Sequence, residues 1–386
     1  MIDALLGNAE MRRAALRARP DDDPGETLAR VAWGVVAEPG DGVAGALITQ
    51  VGAADALRFA LSDEGFGLAE KAVQEGRRRW APRAQTGAVR DALRGANEAA
   101  AELLLPGDAL WPHALDDLGD HAPVLLWVRG DADLLPATSR VSIVGARAAT
   151  AYGDAVAGEL AGDLASTGTV VVSGGAYGID GTAHRAALGV GGATVAFLAG
   201  GVDRAYPAGH QQLFERIRSA GAVVSELPCG AAPTKWRFLS RNRLIAALGD
   251  ATVVVEAGWR SGSLNTAGHA SALGRPLGAV PGPVTSAASA GCHRLMREYD
   301  AQCVTNAAEV RELLGADSAT AASEVRRTDP DQTRLIDALS TRTARQPAEL
   351  ARIAGLSVER TRSLLGTLSL EGLVVHGSDG WSAARS

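Results

Sequence analysis

The chain has 386 residues with a formal net charge of −6, and it is 46% apolar and only 4% aromatic. That length favours two or three domains and the apolar share is ample for a sizeable core, while the acidic balance does not favour a protein that coats nucleic acid over its whole surface yet permits a local basic groove. No apolar run reaches membrane-spanning length, the N-terminus lacks the basic-then-apolar order of a secretory signal, and Cys229, Cys292 and Cys303 show no paired spacing, so a cytoplasmic protein without membrane contact, disulfide framework or zinc site is expected.

Residues 1–26, MIDALLGNAEMRRAALRARPDDDPGE, are charged and read as a mobile tail. From 27 to 105 the chain is rich in Ala and Leu at helical spacing, as in ETLARVAWGVV and DALRFALS, and predicts a small helical domain. Within it, AEPGDGVAGALITQVGAADAL has the order helix, Gly turn, helix. It resembles a worn helix-hairpin-helix, although its turn carries no basic residue and a packing role serves as well.

From about 106 the pattern changes to an apolar strand, a Gly-rich turn and an amphipathic helix, repeated. The strands are LLWVRG, VSIVGA, TVVVSG, ATVAFLAG, AVVSEL, ATVVVEAG and PLGAVPG; the helices include YGDAVAGELAGDLAS, IDGTAHRAAL and HQQLFERIRSAG. Alternating strands and helices with wholly apolar strands predict an α/β domain, 106–315, built on a parallel sheet covered on both faces. Ligands of such sheets bind at the carboxyl ends of the strands, so the turns there are the candidates for chemistry.

Four turns stand out. GARAAT (145–150) projects Arg147. SGGAYGID (173–180) offers Ser173, Gly174 and Gly175, whose successive N–H groups form a candidate anion nest. PTKWRFLSRNR holds four cations and two aromatics in residues 235–243, and WRSGSLNTA presents Ser261, Gly262 and Ser263 at a helix start. No G-x-G-x-x-G follows the first strand and no Walker motif exists, so neither a dinucleotide nor a nucleoside triphosphatase site is indicated. Aromatics among cations fit a groove for unpaired nucleic acid, where bases stack and phosphates are neutralised. Phe238, Arg241 and Asn242, three and four residues apart, fall on one helical face. Arg243 falls on another and reads as a buried partner of Glu226 or Glu256. Trp236 reads equally as core or as a stacking surface. Asp180 and His184, four apart, read as a helix-capping acid and a packed histidine before they read as a catalytic pair.

Residues 316–332 are polar and aperiodic and predict a linker. After it, RLIDALS, PAELARIAG and VERTRSLLGTLSLEG predict three helices, and LVVHGSDGWSAA a hairpin, so 333–386 reads as winged-helix-like.

The segments WPHALDDLGDHAPVLLWVRGD, VSIVGARAAT, VVSGGAYGIDGTAH, AGGVDRAYPAGH, FLSRNRLIAALGDATVVVEA, SGSLNTA and AVPGPV together resemble the DNA-processing protein A family over residues 111–315. The resemblance implies an extended Rossmann-like domain that binds single-stranded DNA in a basic pocket, with Arg147, Lys235, Phe238 and the Ser261–Ser263 segment at family positions. It also implies a homodimer, contact with RecA recombinase, a role in DNA uptake and recombination, and no catalytic turnover, cofactor or metal. Tyr177 stands where many members carry a base and could stack instead; His210 and His293 stand where Asn is frequent. Two other readings remain. One is a nucleotide hydrolase of the lysine-decarboxylase-like Rossmann family, whose PGGxGTxxE glutamate is missing from WRSGSLNTAGHA. The other makes the C-terminal domain the main DNA reader through Arg360 and Arg362, although residues 326–386 hold nine Arg against seven acids, only +2.

Overall fold

A computed structural model describes residues 6–62, 70–137, 139–315, 330–341, 343–370, 372–377 and 379–384. The chain divides into two compact units, Met1–Ala316 and Asp317–Ser386. The first opens with α1 (Ala9–Ala18), α2 (Pro24–Val36), α3 (Gly42–Val51), α4 (Ala53–Ala60), α5 (Glu70–Trp80) and α6 (Thr86–Glu98). Short polar side chains start the first three by accepting from otherwise unpaired backbone N–H groups: Asn8 from Glu10 and Met11, Asp23 from Gly25 and Glu26, Asp41 from Val43 and Ala44.

Helix α1 corrects the expectation of a mobile tail over 1–26. Met11 and Ala15, four apart, are buried, and Arg19 just beyond the helix donates to Leu103 O at 2.6 Å and to both Asp108 oxygens at 2.5 Å. The dense charges around that pair mask its helical period; residues 1–5 lie outside the described residues. Helices α3 and α4 form the expected helix-turn-helix about Gly52, at φ 81°. Buried Trp33 and Trp80 meet edge to face at 5.2 Å and tie α2 to α5. Leu28, Trp33 and Leu57 share one apolar core with Trp127, Ala196 and Val223 of the sheet, so the boundary expected near residue 105 falls inside a single unit.

The sheet contains β1 (Glu102–Leu104), β2 (Leu126–Gly130), β3 (Arg140–Val144), β4 (Val170–Ser173), β5 (Thr194–Phe197), β6 (Ala222–Ser225), β7 (Ala251–Val254), β8 (Leu277–Ala279) and β9 (Gln302–Cys303), in the order β1-β2-β6-β5-β4-β3-β7-β8-β9. The strands from β6 to β9 in that order pair in parallel, giving the Rossmann-like sheet that was expected. The edge departs from it: β2, the LLWVRG strand, runs antiparallel to β6, and β1 antiparallel to β2. The short link from β2 to β3 holds a 3-10 turn, Ala132–Leu134, instead of a crossover helix, so nothing there imposes parallel pairing.

Seven helices follow the strands: α7 (Ala151–Ser166), α8 (Ile179–Gly189), α9 (Gln211–Ala220), α10 (Lys235–Leu248), α11 (Ser263–Ala272), α12 (Ala290–Glu298) and α13 (Ala307–Leu313). Side chains alternate between faces along each strand. Val171 packs on the α7, α8 and α13 side, while Val170 and Val172 pack on the side of α10, α11 and α12. Strand β3 has β4 on one side and β7 on the other, so the loops leaving β3 and β7 diverge into a crevice.

The second unit has α14 (Pro330–Ala338), α15 (Pro347–Ala354), α16 (Val358–Leu370) and an antiparallel hairpin of β10 (Val374–Gly377) and β11 (Gly380–Ala383). Leu335, Leu350, Leu364, Leu365, Leu368 and Val374 form its own core. Three helices followed by a hairpin is the winged-helix-like order read from the sequence. Helix α14 starts inside the expected linker; residues 316–329 lie outside the described residues. No described helix is long and apolar enough to cross a membrane.

Candidate nucleic-acid interface

A cleft of about 470 Å³ opens at the switch point between β3 and β7. Gly145–Ala148 line it from the β3 turn, Arg260–Ser263 from the β7 turn, and Phe238, Leu239, Arg241 and Asn242 from α10. Topology therefore brings together Arg147, Phe238 and the Ser261–Ser263 segment, which lie over 110 residues of sequence.

The cation cluster of 235–243 resolves into separate roles. Thr234 caps α10 by accepting from Arg237 N at 3.3 Å. Lys235, in the first turn, is exposed and makes no ion pair among the described residues; it stands one turn from the cleft-lining Phe238. Arg237 grips Glu38 through two 2.9 Å bonds. Arg243 meets Glu226, the first of its two expected partners, through two 2.6 Å bonds with both side chains buried. Glu256 instead accepts from the Thr150 N–H and hydroxyl. Trp236 is 73% exposed, which settles it outside the core.

Arg241 and Asn242 depart from their expected role as free DNA contacts. Arg241 is 5% exposed and donates to Gly174 O at 2.5 Å and Phe197 O at 2.6 Å. Burial lowers its pKa to about 10, with Asp180 pulling the other way and Arg147 adding to the fall. Its guanidinium forms cleft wall, 5.9 Å from the Phe238 ring centroid. Asn242 donates to Gly262 O at 3.4 Å and Asn265 Oδ1 at 3.2 Å, tying α10 to the β7 turn.

The SGG turn is likewise structural where an anion nest was expected. Ser173 is fully buried and donates to Ile143 O at 2.6 Å. Gly174 is required because a Cβ there would occupy the place of the Arg241 guanidinium. Gly175, at φ 77°, combines a left-handed backbone with the Phe214 ring where its Cβ would go. The physical reason is packing: Arg241 and Phe214 close over the turn before any phosphate could. His210 braces it, donating from Nδ1 to Gly175 O at 3.1 Å, and Tyr177, 49% exposed, stands edge-on to the His210 ring. His293 likewise donates from Nε2 to Gly282 O at 3.0 Å. Both histidines thus brace turns.

Asp180 and His184 do not form a pair. Asp180 accepts from Ala176 N at 3.3 Å, and burial raises its pKa against the pull of Arg241. Thr194 donates its hydroxyl to Val171 O, so it must accept from His184 Nδ1 at 2.7 Å. That leaves His184 neutral, protonated on Nδ1 and fully buried. Asp180 is the one acid lining the cleft among the described residues, and no group of three or more His, Cys, Asp or Glu there could hold a metal. Burial pushes the Cys229 and Cys292 thiols up to about 12, so neither is a ready nucleophile.

What remains accessible is a ring-and-cation surface. Arg147 is exposed, with its guanidinium carbon 4.9 Å from the centroid of the half-buried Phe238 ring. Tyr206, 53% exposed, flanks the same ring at 5.5 Å. Arg260 is exposed on the opposite rim, and the Ser261 and Ser263 hydroxyls bond each other at 2.7 Å beside it, with Ser263 buried. Tyr206 and Arg260 were not singled out from the sequence. The available signals were a tyrosine in the turn after ATVAFLAG and an arginine directly before SGS.

A family model described as DNA recombination-mediator protein A matches residues 102–315. A DprA-type protein of Mycobacterium tuberculosis is 44% identical over 324 residues, covering 78% of this chain and 83% of that one. The DNA processing protein DprA of Streptococcus pneumoniae is 40% identical over 203 residues, 53% of this chain and 71% of that one. The crystal structure of DNA processing protein A from S. pneumoniae matches with a TM-score of 0.57 at 29% identity, covering 74% of this chain and 96% of that one. A structure of DNA processing protein A from Helicobacter pylori, which concerns that protein's single-stranded DNA binding mode, matches with a TM-score of 0.51 at 32% identity, covering 57% and 98%.

Proposed function

The chain belongs to the DNA recombination-mediator protein A family, and on that footing we propose that it binds single-stranded DNA at the β3–β7 cleft and helps load RecA recombinase in DNA uptake and recombination. The observation that carries the reading is that Arg147 and Arg260, which make no ion pair among the described residues, line one open cleft with the Phe238 ring, which Tyr206 adjoins. The cations and Lys235 neutralise phosphates, and the Ser261 hydroxyl with the exposed Gly262 lets the backbone come close. Unpaired bases lie against the rings, each such contact contributing about 1–3 kcal/mol. A duplex hides those base faces, so the surface favours single strands. Nothing in this arrangement reads a base edge, which suits a strand that is to be handed to a recombinase regardless of sequence. The protein acts as a homodimer in the cytoplasm and turns over no substrate: Asp180 is held by the turn it braces, and His184 faces Thr194.

The test is a titration with labelled single- and double-stranded oligonucleotides at two salt concentrations. Single strands should bind more tightly, with the log–log salt slope growing by about 0.7 per phosphate contacted. Lys235→Ala and Arg147→Ala should each lower affinity and slope on every sequence, and the wild type should shorten the lag before RecA hydrolyses ATP on single strands. Unaltered affinity in both variants, or release of base from nucleoside monophosphates, would replace this reading with another.

A further inference from the structure

We propose that Trp259 is a second stacking station, on the β7 rim, where an unpaired strand leaving the cleft rests a base. The proposal rests on the single-strand reading of the cleft and extends it to a residue outside the cleft. Seven tryptophans occur in the chain. Trp33, Trp80, Trp111 and Trp127 are fully buried and Trp381 is half-buried, whereas Trp236 and Trp259 are 73% and 59% exposed. Exposing an indole forgoes a large burial gain, so an exposed one next to a binding cleft calls for a ligand. Both stand at the carboxyl ends of the strands. Trp259 stands in sequence between Gly258 and Arg260, each of which lines the cleft.

Its ring is also held in place. The Arg294 guanidinium lies 5.3 Å from the Trp259 centroid and 5.9 Å from that of Tyr299, and Glu298 fixes Arg294 through a 2.7 Å bond. This bracket covers one side of the indole and leaves the rest to solvent. Because Glu298 neutralises Arg294, the station adds ring surface without adding net positive charge. Its contribution should therefore be nearly independent of salt, unlike that of Lys235 or Arg147. It should also be felt only by strands long enough to leave the cleft.

The experiment is an anisotropy titration of the full chain with labelled oligothymidylates spanning about 4 to 16 nucleotides, at two salt concentrations. Trp259→Ala should match the wild type on the shortest strands and bind the longer ones about fivefold or more weakly, with an unchanged salt slope. Trp259→Phe should retain most of the affinity, and an unchanged melting curve should confirm that the exposed site does not govern folding. Equal affinity of Trp259→Ala and wild type at every length, while Lys235→Ala weakens binding, overturns the station and spares the cleft. Equal loss at every length together with a smaller sedimenting species overturns it too, by placing the indole against a second copy of the chain. A wild type that binds none of the oligomers removes the cleft reading itself, and the station with it.

Discussion

Arg243 closes two short bonds on Glu226, Arg237 two on Glu38, and Arg241 one each on two carbonyls, so three of the four cations in KWRFLSRNR hold structure together. A charge cluster in sequence says nothing of where its counter-ions lie; Glu38 comes from a loop 199 residues away. Lys235 keeps its charge for a ligand because it occupies the first, exposed turn of α10, before burial sets in at Arg241. His184 is the clearest titration. Burial, then the nearby positive charges of His210, Arg241 and Arg185, lower its pKa from 6.5 to about 3. The unfolded chain therefore binds more protons between those values. The contribution is complete above pH 6.5 and is lost as pH falls towards 3, a total on the order of several kcal/mol. Urea unfolding from pH 7 down to pH 4 should show stability falling more steeply in the wild type than in His184→Gln. Parallel profiles would mean that the imidazole takes up its proton in the fold as readily as in the unfolded chain.

At the level of elements, the parallel strands and most of their helices are legible because a buried strand must be continuously apolar and a covering helix amphipathic. The three-residue β1 and two-residue β9 are too short to carry a period, and the direction of β2 depends on its link to β3 and not on its composition. The glycines of SGGAYGID show the same limit. Their spacing is visible, but only the fold reveals that Arg241 and Phe214 fill the space a nest would need. Gly174→Ala is thus an overpacking substitution. It should destabilise the protein by about 1–3 kcal/mol in chemical denaturation and weaken single-strand binding by shifting Arg241 off the Phe238 wall. Gly189→Ala, where a Cβ meets nothing within 4 Å, should be neutral or slightly stabilising. If both variants unfold at the same denaturant concentration, the packing account of the turn is wrong.

Across the whole molecule the two ends of the chain differ in their dependence on the sheet. The N-terminal helices share a core with β2, β5 and β6, and they are further fixed by Arg19 on Asp108, Arg30 on Val124 O and Glu38 on Arg237. The C-terminal unit has its own apolar core, and on its third helix Arg360 contacts Asp331 at 3.2 Å while Arg362 is exposed. A net charge of +2 over 326–386 is small for duplex binding. A chain ending at residue 315 should therefore remain folded, with a melting transition close to that of the full-length protein, and should bind short single strands with the same affinity and salt slope. A chain beginning at residue 101 should expose Trp127 and the sheet face around Val223, and should aggregate or lose its cooperative transition. A tenfold loss of affinity for short strands on removing the C-terminal unit would make that unit part of the binding site and return the winged-helix-like fold to the role of DNA reader.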